Sequence, residues 1–384
     1  MSNPEKMDAV YDAKTLGTPK VLVLGLQHMF AMFGATVLVP AITGLNVSTT
    51  LLCAGLGTLL FHVITGMKIP AFLGSSFAFL SAYGLVTASG QEIPLTYSCF
   101  GVAVAGLMYF VLAWFFKIFG TGKVMRFFPP IVTGPVIIAI GLTLSGTAIQ
   151  SCSANWLVAL VAIAVVVVCN IWGKGMIKII PILLGVVGSY VVALLCNLLG
   201  MTMIDFSGLD VQGLFGGATP VLGFQPFITN FSGNVAKFDV SAILVMAPIA
   251  IASMMEHIGD MSAISATVGD NFIEDPGLHR TLIGDGIATA MSAMFGGPAN
   301  TTYGENTGVL VLSKVYDPKV IRLAAIYAIV LSFSPAFAYI VNTIPAAIIG
   351  GVSFILYGMI SAIGVRNVVE NRVDFTNSRN LIIA

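Results

Sequence analysis

Three acidic residues stand where acids are costly. Ala252-Ser253-Met254-Met255-Glu256-His257-Ile258-Gly259-Asp260-Met261 lies within an apolar run long enough to cross a bilayer, and Glu305-Asn306 lies in another. A carboxylate within a membrane span marks a functional site by default. Glu256 and Asp260 are four apart and share one helical face, whereas His257 is one step on and points elsewhere. With no intramembrane Lys or Arg to balance them, three bare anions are not tenable. Protonation, hydrogen bonds from a ligand, or water in a cavity would resolve the cost. A protonated staple between helices is the structural alternative, most of all for Asp260. His28 and Gln27 could face the same cavity or close an interhelical hydrogen bond, and His62 reads as structural. Asp285, a turn past Arg280, is expected to pair with it near the interface. Asp270, Glu274, Asp275, His279 and Arg280 read as a solvated loop.

The elements that would position these acids are unusual. Segment 3 opens Ile69-Pro70-Ala71-Phe72-Leu73-Gly74-Ser75-Ser76-Phe77, and segment 10 opens Gly297-Pro298-Ala299-Asn300-Thr301-Thr302-Tyr303-Gly304-Glu305. Both begin at Pro, pass through small polar residues, and only then turn apolar. Each is echoed two segments later by an apolar–Pro start, Phe128-Pro129 and Ile344-Pro345. Segments 3 and 10 are seven apart, as are 5 and 12, and an odd offset inverts the second copy across the membrane. Transporters built from inverted repeats place their sites at such broken helices. Each broken segment is expected to join a short extended stretch to a half-helix whose N–H groups and positive dipole end face a polar cavity.

Composition sets the frame. Of 384 residues 57% are hydrophobic and 9% charged, with 17 Lys+Arg against 17 Asp+Glu and a net charge of +0; mean hydropathy is +0.97. Soluble domains carry roughly 25% charged residues. These values exclude soluble and disordered classes and give no basic field for nucleic acid. The five cysteines (Cys53, Cys99, Cys152, Cys169 and Cys196) form no CxxC pair, so neither a disulfide framework nor a structural metal site is expected. The chain is an all-α polytopic membrane protein.

At about 20 apolar residues per span, twelve segments lie near 21–43, 49–66, 70–88, 96–116, 127–149, 155–172, 178–199, 240–262, 281–296, 299–313, 320–341 and 344–363. Alternate connections collect Lys6, Lys14 and Lys20, then Lys68, then Lys117, Lys123 and Arg126, then Lys174 and Lys178. They go on through Arg280, then Lys314, Lys319 and Arg322, to Arg366, Arg372 and Arg379. Only Lys237 falls on the other side. By the positive-inside rule the N-terminus is cytoplasmic. The polar start lacks a signal-peptide layout, so the first apolar run is expected to stay as an anchor.

The stretches GLQHMFAMFGATVLVP (25–40), FLGSSFAF (72–79), EHIGD (256–260), DPGLHR (275–280) and NTTYGENTGV (300–309) together resemble the nucleobase–ascorbate transporter family, most of all its uracil-transporting bacterial members. The resemblance runs over essentially the whole chain. It implies fourteen spans in two inverted seven-span repeats, a core domain from spans 1–4 and 8–11, and a gate domain from 5–7 and 12–14. The expected layout is a cytoplasmic segment 1–20, core 21–117, gate 127–199, an extracellular or periplasmic connection 200–239, core 240–341, and gate 344–384. On that reading the last two spans are absent, and Leu381-Ile382-Ile383-Ala384 is the start of the thirteenth.

The resemblance further implies that Glu256 and Glu305 hold a nucleobase, while the backbone amides of Phe77 and Gly304 reach its carbonyls. Ala31 and Tyr303 line the pocket. Uracil offers N–H donors and C=O acceptors, which suits carboxylates facing half-helix amides. Titration of Glu256, Asp260 and Glu305 would couple transport to protons. The expected activity is proton-coupled uracil import across a bacterial inner membrane by alternating access, with no cofactor or metal and with a homodimer possible. Two departures bear on it. Asp260 stands where the best-known uracil permeases carry His, as in purine-transporting relatives. Purine members begin their signature Gln-Asn-x-Gly, whereas this chain reads Glu305-Asn306-Thr307-Gly308, which favours a pyrimidine over xanthine. A xanthine or purine permease is the alternative within the class. An ion channel or anion exchanger of the same architecture would want neutral or basic groups at Glu256 and Glu305. A membrane enzyme would need a nucleophile–base or metal set, and none is visible.

Overall fold

The computed structural model describes residues 9–80, 82–83, 95–124, 126, 129–201, 203–204 and 236–384. Most of the 200–239 connection, Lys6, Arg126's neighbour Phe128 and the end of segment 3 lie outside them. Helix α1 (Thr18–Thr43) carries Pro in its first turn and ends at Gly44, whose φ of 77° is the left-handed cap that glycine adopts without penalty. Helix α2 (Val47–Ile64) starts where the Asn46 side chain accepts from Thr49 N. After strand β1 (Leu73–Ser75) come α3 (Leu95–Phe119), α4 (Pro130–Cys152), α5 (Trp156–Trp172) and α6 (Pro181–Leu198). Helices α7 (Val240–Met246) and α8 (Ile249–Val268) follow one another across Ala247-Pro248, and α9 (Leu278–Met294) leads to strand β2 (Asn300–Thr302). Helices α10 (Gly304–Ser313), α11 (Pro318–Ser332), α12 (Pro335–Asn342) and α13 (Ala346–Glu370) complete the main elements.

Among the described residues seven helices, counting α7 with α8, are long and apolar enough to cross a membrane, or eight with the bent α11–α12 pair. The other expected segments differ for local reasons. Helix α5 is 17 residues, α10 is 10, and α9 carries buried polar groups. Segment 11 is not one straight span, because α11 and α12 bend by 85°. At the break the Ser334 side chain accepts from Phe337 N and starts a new helix, and Pro335 has no N–H to continue the old one.

The helices pack in two sets. Helix α9 lies between α3 and α2, α11 lies against α2 and α1, and α7 lies on α3. Helix α13 lies along α4 and α5, with α5 on α6. Helix α1 touches both sets, through α6 and α13. Large apolar side chains such as Leu142, Leu160, Ile171 and Leu244 face outward. With so few charges on the chain, that belt suits lipid rather than water.

The two extended stretches meet at the centre. β1 and β2 pair antiparallel, with Leu73 opposite Thr302, Gly74 opposite Thr301 and Ser75 opposite Asn300. Being antiparallel, they send the chain out of the pair at opposite ends, one arm toward Phe77 and the other into α10. A backbone at membrane depth must satisfy its own polar groups, and three-residue strands cannot do so alone. Their neighbours complete the set. Thr58 of α2 receives Leu73 N at 2.9 Å, and Thr289 of α9 donates to Asn300 O at 2.7 Å. Ser76 N reaches Ala299 O at 2.8 Å and Tyr303 N reaches Phe72 O at 3.0 Å.

Candidate functional site

The acids gather where α8 faces the start of α10. Gly304 and Glu305 form the first turn of α10, and no side chain caps it. First-turn N–H groups have no intrahelical acceptor, so this end attracts negative charge. A Cβ added at Gly304 would stand 3.4 Å from Asp260 Oδ1, which measures how closely the turn approaches α8. Glu256 and Glu305 lie near enough to repel one another. Both are half-buried. Among the described residues neither spends its side chain on a hydrogen bond to another residue, whereas Asp260 Oδ2 accepts from Thr302 Oγ1 at 2.9 Å. The two glutamates therefore keep acceptor capacity for a ligand.

The remaining expected residues lie on α1, just after β1 and just ahead of α10. Phe77, Ala31 and Tyr303 are buried at 7%, 7% and 4% exposure. Tyr303 is held firmly: its hydroxyl donates to Ser75 O at 2.9 Å, and Thr36 Oγ1 of α1 lies 3.4 Å from it. The ring lies against β1, and only glycine at 74 leaves room, since any Cβ there would run into Cε2 and Cζ of Tyr303. Asn306, one residue past Glu305, donates to His28 O at 3.2 Å and lies 3.3 Å from its Nδ1. His28 is thus an α1–α10 tie. His62 Nε2 donates to Ala71 O at 2.9 Å and braces the approach to β1.

One sequence expectation is corrected. Asp285 does not pair with Arg280, which is exposed. Its side chain is fully buried, and Oδ2 stands 3.3 Å from His257 Nδ1, also fully buried. Five helical steps rotate a side chain by about 140°, so Arg280 and Asp285 leave α9 in different directions. In the loop, Asp275 pairs with Lys68 at 2.6 Å instead. Thr302, Thr36, Ser75 and the His257–Asp285 pair are site neighbours that spacing alone could not reveal, because each contact joins distant segments.

A bundle of apolar helices crossed at its centre by two paired broken segments is the architecture of a membrane transporter. The transmembrane domain of a cyanobacterium bicarbonate transporter, BicA, superimposes with a TM-score of 0.64 at 15% identity, over 94% of this chain and 97% of that one. The Permease family model matches residues 19–384, and the chain belongs to that family. It is 40% identical to the uracil permease of Bacillus caldolyticus, over 98% of this chain and 85% of that protein. It is 37% identical to the uracil permease of Escherichia coli strain K12, over 95% and 82%. The family consists of transporters rather than enzymes, and this chain is a multi-pass membrane protein.

Proposed function

We propose that this protein imports uracil with protons by alternating access, across a bacterial inner membrane and with its N-terminus cytoplasmic. The observation that supports this reading is that α8, which carries Glu256 and Asp260, approaches the uncapped first turn of α10, which carries Glu305, while neither glutamate bonds another side chain among the described residues. Uracil's ring N–H groups would donate to Glu256 and Glu305, and its carbonyls would accept from the amides of Phe77 and Gly304. Ala31 and Tyr303 would form the walls. The names of the relatives support the substrate, and Glu305 in place of Gln supports a pyrimidine over xanthine. Two facing acids would repel an anion, which disfavours anion exchange on the same fold.

In this reading helices α1–α3 and α7–α12 form the core that carries the site, and α4–α6 with α13 form the gate. Their separate packing supports the division. Relative motion of the two would expose the site alternately, and a homodimer would hold the gate still. The test is uptake of radiolabelled uracil into proteoliposomes with and without unlabelled xanthine, for the wild type, Glu256→Gln and Glu305→Gln. Excess xanthine should leave uracil uptake unchanged, a protonophore should abolish accumulation, and each Gln variant should lose uracil uptake through weaker binding. Unchanged binding in both variants would refute the assignment of these acids.

A further inference from the structure

Behind the acids runs a buried polar chain that substrate binding does not use. Thr302 Oγ1 donates to Asp260 Oδ2 at 2.9 Å. The same oxygen lies 3.4 Å from His257 Nδ1, and that nitrogen lies 3.3 Å from Asp285 Oδ2. Thr302, His257 and Asp285 are 1%, 0% and 0% exposed. His257 Nε2 has no hydrogen-bond partner among the described residues, and the Asp285 carboxyl meets the side chains of His257 and Thr301 at long or poorly aligned geometry. A buried carboxyl and imidazole left this incompletely satisfied are expensive unless the protein uses them. The other ionisable groups facing the pair are Glu256 and Asp260 on α8 and Tyr109 on α3, with Glu305 on α10 beyond them against Glu256 and Asp260. From α2 it meets the Phe61 ring, 6.1 Å from His257 between centroids.

We propose that Thr302 is a proton bridge joining Asp260 to a holding station made by His257 and Asp285. The inference rests on the proton coupling proposed above. With Asp260 protonated, its O–H breaks as its proton passes to Thr302 Oγ1, and the Thr302 hydroxyl proton passes to His257 Nδ1. One O–H is remade at Thr302 and one N–H forms at His257. The new imidazolium faces the Asp285 carboxylate, and Asp260 is left ionised. No water, metal or other reactant enters. Thr302 and Asp260 belong to different elements, β2 and α8, so the bridge is intact only while those two keep their register. A proton stored on His257 is then withheld from the site until Asp260 can receive it again. Asp285 is a positioning residue here: the neutral imidazole carries its proton on Nε2, and the Asp285 carboxylate accepts the new Nδ1–H and stabilises the charged ring.

The experiment compares Thr302→Val, which keeps the branched shape and removes the hydroxyl, with Thr302→Ser, which keeps the hydroxyl. Proteoliposomes are assayed for uracil accumulation under an imposed pH gradient, for uracil exchange without a gradient, and for the pH profile of uptake. A gradient of about one pH unit can sustain roughly tenfold accumulation per coupled proton. Thr302→Val should still exchange uracil but fail to accumulate it, and its uptake should become flat with pH. Thr302→Ser should restore both. Asp285→Asn should behave like Thr302→Val, and its exchange reports whether it is folded. Gradient-driven accumulation by Thr302→Val at the wild-type level, with the wild-type pH profile, would overturn the bridge. A wild type that exchanges uracil but never responds to the gradient would instead overturn the coupling reading on which it stands.

Discussion

The contact between Gly74 and Tyr303 can be turned into a measured coupling. In Gly74→Ala the new methyl would fall 2.5 Å from Cζ of the Tyr303 ring and 2.7 Å from Thr36 Oγ1. Carbon atoms pack at about 3.5–4.0 Å, so the ring must retreat by roughly 1 Å. Its hydroxyl now donates to Ser75 O at 2.9 Å, and a retreat of that size takes it beyond hydrogen-bond range. Overpacking costs about 1–3 kcal/mol and the lost hydrogen bond about 1 kcal/mol. The expected destabilisation is therefore roughly 2–4 kcal/mol, read as a lower thermal unfolding midpoint in detergent. The origin is isolated by a double-mutant cycle with Tyr303→Ala. With the ring gone, Gly74→Ala has less to strike, so the two losses should fall short of additive by at least about 1 kcal/mol. The same loss from Gly74→Ala in both backgrounds would show that the ring is not what the methyl meets, and would refute the packing that fixes Tyr303 at the site.

Glu305→Gln keeps the shape of the side chain but removes a charged acceptor, so uracil should bind about 10–150-fold more weakly by calorimetry, from roughly 1.5–3 kcal/mol for a charge-assisted hydrogen bond. Gly286→Ala should lower the thermal midpoint, because its Cβ would press on Gly106 O and Tyr109 Cβ where α3 and α9 touch, at about 1–3 kcal/mol. Gly358→Ala, on α13 with open space around it, should be neutral or gain up to about 1 kcal/mol. At the N-terminal clasp, Val10 bridges to Val315 and Ala13 N donates to Asp317. Asp12 there is held below the usual carboxylate range by the Lys14 N–H and then by Lys319. A depressed carboxyl stabilises fully above its unfolded value of about 3.9 and loses that contribution as pH falls through its lower folded value. Limited proteolysis within residues 9–17 should therefore speed up in strong acid and stay constant from pH 5 to 7.

What could be read in the chain follows its covalent neighbours. Glu256 and Asp260 share a face because a helix repeats about every 3.6 residues. The Pro-led small-polar stretches at 70–76 and 298–304 betray extended backbone because neither run can hold a helix from its start. The Ser334-Pro335 break was equally legible in principle, since a Ser-Pro pair commonly starts a helix, but the apolar flanks concealed it. Contacts between segments were not legible. Thr302 meets Asp260 across 42 residues, and no periodicity encodes the crossing of α8 with β2. Asp285 misleads for the same reason. Arg280 is near in sequence, whereas His257 is near only once α9 has packed beside α8.

Strand pairing ties these observations to function. Two extended stretches could each lie in the protein interior alone, but their backbone groups would then need water or another protein chain. Pairing β1 with β2 satisfies those groups and makes the two arms one unit. Because β2 leads directly into Tyr303 and then Glu305, a displacement of α10 moves the Tyr303 wall and the acid together. Since Thr302 sits on the same strand, that displacement also acts on the hydrogen bond to Asp260. Cutting the pair's support should therefore affect binding and proton response at once. Thr58→Val removes the hydroxyl that receives Leu73 N while staying far in sequence from every acid, and leaves a buried N–H unpaired at about 1–3 kcal/mol. Its expected signature is weaker uracil binding together with an altered pH profile. A variant that binds less tightly with an unchanged pH profile would show that the strands position the substrate alone.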